Sequence, residues 1–178
     1  MNTFSLLSDP RVLLADTFAL AAHAAVGQVR KYTLEPYIVH PRAVADIVMT
    51  SSGFTVDQVV TALLHDVVED TKVPHELVTQ VFGERVGRMV WFMTDPPTIK
   101  GGPNRDERKA MTRARFAEAD GQTQTVKVAD LIHNHHDIHE HDPDFAVVYN
   151  REALELLKVL ALADPRLTEI AWTILTKR

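Results

Sequence analysis

Apolar residues return every three or four positions along most of this chain, while the strict alternation that marks a strand is nearly absent. The clearest case is Val56, Val59, Val60, Leu63, Leu64 and Val67, one face of a helix introduced by Thr55 and Gln58 at capping-box spacing. Upstream, Ser8-Asp9-Pro10 reads as a cap with proline in the first turn, and Gly27 as the stop of a first helix running through Ala25. Residues 30–37 (RKYTLEPY) read as a loop, because Pro36 pushes its predecessor out of helical geometry; Pro41 then opens a short second helix with His40 at the junction. Pro74 opens and Gly83 closes another helix, and residues 86–93 make a further one that Asp95-Pro96-Pro97 breaks. After a long loop to Asn104, helical segments cover 105–119, 125–140, 145–162 and 166–176, with Gly121, Pro143 and Pro165 as punctuation. The expectation is all-α, a single-domain helical bundle over residues 1–178 without repeat or linker.

Composition narrows the chemistry. With 178 residues, 46% of them hydrophobic, the chain can bury one core and is short for two. A net charge of -5 without a long basic run argues against general nucleic-acid or membrane-surface binding, since both partners are anionic. The absence of cysteine excludes disulfides, thiolate nucleophiles and Cys-bound zinc, and leaves His, Asp and Glu to act. The N-terminus lacks a basic n-region, its apolar positions are interrupted by Asp16 and His23, and no stretch reaches the roughly 20 apolar residues of a membrane span. A cytoplasmic location is the expectation.

His65-Asp66-Val67-Val68-Glu69-Asp70 is the most informative segment. On a continuous helix His65 and Glu69, like Asp66 and Asp70, project from one face about 6 Å apart along the axis, which sets metal and water at adjacent positions. A solvated face explains the same pattern, because His65 lies opposite the valine stripe. A second segment has Val128, Leu131, Ile132 and His135 on one side, and Lys127, Asp130, Asn134 and Asp137 on the other; it too can be plain surface. Together with His40, these segments offer two imidazoles and two carboxylates as metal ligands, His40, His65, Asp66 and Asp130, a set suited to divalent Mn, Fe or Zn.

H...HD...D in a helical chain resembles the HD phosphohydrolase superfamily. More narrowly, RKYTLEPYIVHP, ALLHDVVEDT, the FGERV helix end and VKVADLIHN, in that order and spacing, resemble the hydrolase domain of the RelA/SpoT family and its stand-alone small alarmone hydrolases. The likeness covers about residues 15–134 and, more loosely, the C-terminal helices at 145–176. It implies an HD-type bundle, metal binding by His40, His65, Asp66 and Asp130, and catalysis by Glu69 and Asp70, one carboxylate taking the proton of an attacking water. The implied reaction is Mn2+-dependent removal of the 3'-pyrophosphate from guanosine alarmones such as ppGpp. Arg30 and Lys31 match the family's RK pair on the guanine and ribose side, and Lys127 and Asn134 match its K-x-A-D-x-x-x-N, so these four are the expected substrate-binding residues. The expected partner is a small nucleotide, with neither nucleic acid nor membrane. For Lys109 and Arg113 a solvated face is an equal reading.

The chain departs from the family where Tyr32-Thr33-Leu34 replaces a glycine-bearing loop, and where ADLIHN runs on into His135, His136, His139 and His141. A second metal at His135 and His139 is conceivable, but solvated histidines are the preferred expectation. His23 reads as a satisfied core histidine, and Gly101-Gly102-Pro103 as a flexible loop. Two other functions remain open at this point: an HD phosphatase for another nucleotide, such as a nucleoside monophosphate or a 2'-phosphorylated dinucleotide, and a non-catalytic alarmone-binding module. The intact ligand set and the Glu69-Asp70 pair weigh against the module.

Overall fold

The computed structural model describes residues 9–95 and 99–177, so that Ser8, Pro96 and Pro97 lie outside it. The chain divides into two compact units, Met1–Thr94 and Asp95–Arg178. Among the described residues no strand forms, and Val29 and Pro36 make a single antiparallel bridge. The all-α expectation holds.

The first unit contains α1 (Pro10–Ala25), α2 (Val39–Val48), α3 (Val56–Leu64), the one-turn α4 (Val67–Asp70), α5 (His75–Phe82) and α6 (Glu84–Met93). Asp9 caps α1 by accepting from the Arg11 amide at 2.8 Å, ahead of Pro10 in the first turn. Thr55 and Gln58 form the expected capping box on α3. That helix packs against α1, α2 and α6, and all of its residues from Gln58 onward are buried. It is therefore an interior helix, buried beyond its one apolar face, and each wholly buried aliphatic side chain such as Val60 or Leu64 contributes about 1.5–3 kcal/mol.

Two boundaries differ from expectation in ways that matter for chemistry. α2 begins at Val39, so His40 and Pro41 both stand in its first turn, where a missing proline N–H costs no helical hydrogen bond. α3 ends at Leu64, and His65 and Asp66 form the turn before α4. The pairing of residues four apart along one straight helix is thus corrected to a bend located at the His-Asp dipeptide.

In the loop at 30–37, the Arg30 amide donates to Glu35 O (2.9 Å) and the Leu34 amide to Arg30 O (3.1 Å). This tight turn holds Leu34 at φ 60°, a left-handed conformation that favours glycine. Because Leu34 is 70% exposed, little packing is lost on its removal. Leu34→Gly should therefore raise stability by about 0.5–1 kcal/mol, read as a higher denaturation midpoint with unchanged m value.

The second unit contains α7 (Arg105–Ala117), α8 (Gly121–His141), α9 (Pro143–Leu157) and α10 (Pro165–Thr176), with α8 packed against both α9 and α10. Asn104 and Glu107 form a capping box on α7, and Asp120, Asp142 and Asp164 cap the next three helices. Gly121, Pro143 and Pro165, expected as punctuation between helices, are their first residues. A Cβ at Gly121 would lie 2.4 Å from Leu162 O, so only glycine admits this approach. Gln124 ties the same corner together, donating to Phe116 O and Ala119 O and accepting from the Leu162 amide at 2.8 Å. No described helix is long and apolar enough to cross a membrane.

Candidate metal centre

The first turn of α2 and the bend between α3 and α4 bring His40, His65 and Asp66 together. One ligand atom from each lies within 4.8 Å of the others. The two Nε2 atoms are 3.1 Å apart, and Asp66 Oδ2 is 3.0 Å from His65 Nε2 and 3.5 Å from His40 Nε2. His40 is fully buried and His65 is 1% exposed, which rules out the solvated-face explanation for both. His65 Nδ1 stands 2.8 Å from Ala62 O, an acceptor only; Nδ1 therefore carries the hydrogen, and the Nε2 lone pair is directed to the cluster.

Asp66 is buttressed by Tyr37, whose hydroxyl donates to Oδ2 at 2.6 Å. Burial opposes ionisation of Asp66; without a metal ion, a protonated His65 and hydrogen bonds from His40 and His65 outweigh it and hold the carboxyl well below the usual range, a place that a bound cation takes when both imidazoles are neutral ligands. Burial and the Asp66 charge push the Tyr37 phenol far up, so it stays a donor. Two imidazole nitrogens and a partly exposed carboxylate converging this closely fit a divalent ion, since three acceptors at such distances repel one another unless a cation lies among them. Tyr37→Phe removes only the hydroxyl that orients Asp66 and should weaken Mn2+ binding by about 10- to 100-fold in a calorimetric titration, with the helical circular dichroism unchanged.

The remaining candidates of this unit lie around the cluster in sequence but differ in setting. Glu69 and Asp70, both exposed, belong to α4, and Asp70 Oδ2 accepts from Gln28 Nε2 at 2.8 Å. Arg30 is buried with its guanidinium 5.5 Å from the Tyr37 ring centre, whereas Lys31 is exposed and donates to the Tyr32 hydroxyl at 3.0 Å. His23 is buried as expected but only half satisfied: Nδ1 meets Gln28 Oε1 at 2.7 Å, while Nε2 has no partner among the described residues.

In the second unit Asp130 is 4% exposed and accepts from Lys127 Nζ (2.8 Å) and Asn134 Nδ2 (2.6 Å). These three residues are an inward-facing polar cluster, not a solvated face. They line a cavity of about 320 Å³ together with Arg105, Lys109 and Arg113. Arg105 and Lys109 are held there by Glu152 (2.7 and 2.8 Å) and Asp95 (2.9 Å). Arg105 escaped the sequence reading, although Arg105, Lys109 and Arg113 recur every fourth residue of α7, a cationic stripe on one helical face. Tyr149 also lines the cavity and donates to Leu131 O at 3.1 Å, a contact with no local sequence signal.

The histidine run divides. His136, His139 and His141 are exposed as expected, but His135 is 8% exposed and meets Asn150 Oδ1 at 3.0 Å, which corrects the solvated reading there. Its ring stacks on that of His139 at 5.3 Å, and among the described residues only His40, His65 and Asp66 form a ligand group of three.

The HD domain family model matches residues 15–165. The 3'-pyrophosphohydrolase MESH1 of Xenopus tropicalis is 32% identical over 140 residues, 78% of this chain and 76% of that protein. The bifunctional (p)ppGpp synthase/hydrolase SpoT of Escherichia coli K12 is 31% identical over 150 residues, 83% of this chain and 21% of that protein. This chain thus spans about a fifth of the length of the long bacterial relatives it matches. The fold is shared with a solved metazoan ortholog of SpoT, described as hydrolysing ppGpp: the TM-score is 0.78 at 24% identity, over 93% of this chain and 94% of that one. The helical architecture and a family match over most of the sequence agree, and this chain belongs to the HD domain family, whose hydrolases are metal-dependent.

Proposed function

We propose that this chain is a Mn2+-dependent hydrolase that removes pyrophosphate from the 3' position of (p)ppGpp and leaves GDP or GTP. The observation that carries the reading is the buried His40–His65–Asp66 cluster in a chain that aligns with three quarters of a 3'-pyrophosphohydrolase. We assign the activity to the chain as one domain because the family match runs from residue 15 to 165.

His40, His65 and Asp66 hold the ion, with Asp130 of the ADLIHN motif as the fourth ligand. A bound divalent ion supplies Lewis acidity, drawing charge from phosphoryl oxygens and acidifying water. Tyr37 keeps Asp66 oriented, and the Ala62 carbonyl keeps His65 in the ligating tautomer. One carboxylate of the Glu69–Asp70 pair takes the proton of the attacking water and the other holds that water in place. The water oxygen bonds to the phosphorus carried by the ribose 3' oxygen, that P–O bond breaks, and the ribose oxygen leaves with a proton. Arg30 and Lys31 hold the guanine and ribose side. Lys127 and Asn134, with the α7 cations Lys109 and Arg113 around the same cavity, offset phosphate charge that one ion leaves uncompensated.

A second reading, an HD phosphatase for another nucleotide, draws on one observation: the loop after the RK pair is Tyr32-Thr33-Leu34, without glycine, and holds Leu34 in a left-handed conformation. A substrate panel separates the two. Metal-loaded protein should show kcat/KM for ppGpp above that for nucleoside monophosphates and 2'-phosphorylated dinucleotides by about two orders of magnitude. The reverse order would replace the proposed substrate.

A further inference from the structure

α1 ends in a Schellman turn. The Gln28 amide donates to His23 O at 3.1 Å and the Gly27 amide to Ala24 O at 3.0 Å. Gly27 makes the turn at φ 66°, a backbone conformation that residues with a side chain disfavour. The first of these bonds folds Gln28 back beside the last turn of α1, so that the side chains of Gln28 and His23 also meet, Nδ1 to Oε1 at 2.7 Å. From its other end the same amide donates to Asp70 Oδ2 at 2.8 Å.

The direction of each bond follows from the carboxylate. An ionised Asp70 only accepts, so it faces the amide nitrogen of Gln28; the amide oxygen then faces His23 and also only accepts, so His23 Nδ1 carries the hydrogen. The other ring nitrogen, Nε2, is buried without a partner among the described residues, and the ring packs against Tyr37 with centres 4.6 Å apart. Burial lowers the His23 pKa, against the opposing pull of Gln28 and of the Asp66 and Asp70 charges, so the ring is held neutral. A half-satisfied imidazole in the core carries a desolvation cost that an apolar residue would avoid. Its side chain makes one hydrogen bond, and that bond orients Gln28.

We propose that His23 and Gln28 are positioning residues for Asp70: the chain His23 Nδ1–H to Gln28 to Asp70 Oδ2 fixes one carboxylate oxygen and leaves Oδ1 to accept from water. Asp70 needs such a hold because it is exposed and ends a helix of a single turn. The proposal rests on Asp70 acting on the attacking water, as assigned above.

Gln28→Met keeps length and volume and deletes both bonds, whereas His23→Phe deletes the donor alone. Each should lower kcat for pyrophosphate release from ppGpp by about 10- to 100-fold, with KM and Mn2+ affinity little changed. His23→Asn, whose Nδ2 falls where Nδ1 stands, should recover most of the loss. In an Asp70→Asn background, Gln28→Met should have no further effect, since residues that act through one another are not additive. Multiplicative losses, or an unrescued His23→Asn, would overturn the positioning role. Long-range 1H–15N spectra of wild-type protein loaded with diamagnetic Zn2+ test the bond chain without turnover. A neutral Nδ1–H tautomer at His23 is expected, and an Nε2–H tautomer would overturn it even in a protein that folds and turns over normally. A wild type that leaves ppGpp intact would instead remove the assigned reaction, and the tautomer would then decide the bond chain alone.

Discussion

Asp66→Asn should lose metal and hydrolysis together. The carboxylate lies 3.0 and 3.5 Å from two buried imidazole nitrogens and brings negative charge to a cluster otherwise made of imidazoles. A neutral amide is a weaker ligand and leaves a divalent ion less compensated between two buried imidazoles. We expect Mn2+ affinity to fall by about 100-fold or more, by calorimetric titration, and pyrophosphate release to fall with it. Circular dichroism and thermal unfolding distinguish this from misfolding. An Asp66→Asn protein that binds Mn2+ as tightly as wild type would place the ion elsewhere.

Glu69→Gln should behave differently, because Glu69 is exposed on α4 and is assigned to the water rather than the ion. The amide keeps the shape and removes the proton acceptor. A kcat reduced by about 10² to 10⁴ is expected, with little change in Mn2+ affinity or melting temperature. Near-normal turnover in both Glu69→Gln and Asp70→Asn would remove the proposed base and bring back the non-catalytic alarmone-binding module.

Much of the proposed site was legible because the proposed ligands sit at local signals: His40 beside Pro41, His65-Asp66 at the end of a capped apolar run, Asp130 inside a second periodic segment; the structure groups the first three. The bend between Leu64 and Val67 was not. Val67 is fully buried and continues the apolar spacing, and no glycine or proline marks the break, so the pattern reads as one helix through a bend made by packing. Inward polar clusters were also hidden. Lys127, Asp130 and Asn134 have the spacing of any solvated face, and periodicity cannot tell water from a cavity lined by Arg105 and Lys109. The same ambiguity made His135 and His139 look alike, although a hydrogen bond from α9 through Asn150 buries only the first. Pro143 and Pro165 read as punctuation, although an aspartate directly before a proline marks a helix start, and both helices begin there.

The most direct test of the proposed reaction is hydrolysis of ppGpp by Mn2+-loaded protein in heavy-oxygen water, with both products analysed by mass spectrometry. Attack at the phosphorus next to the ribose should give GDP without label and pyrophosphate carrying one heavy oxygen. Label in GDP, orthophosphate as the product, or ppGpp left intact by folded, metal-loaded protein would contradict it.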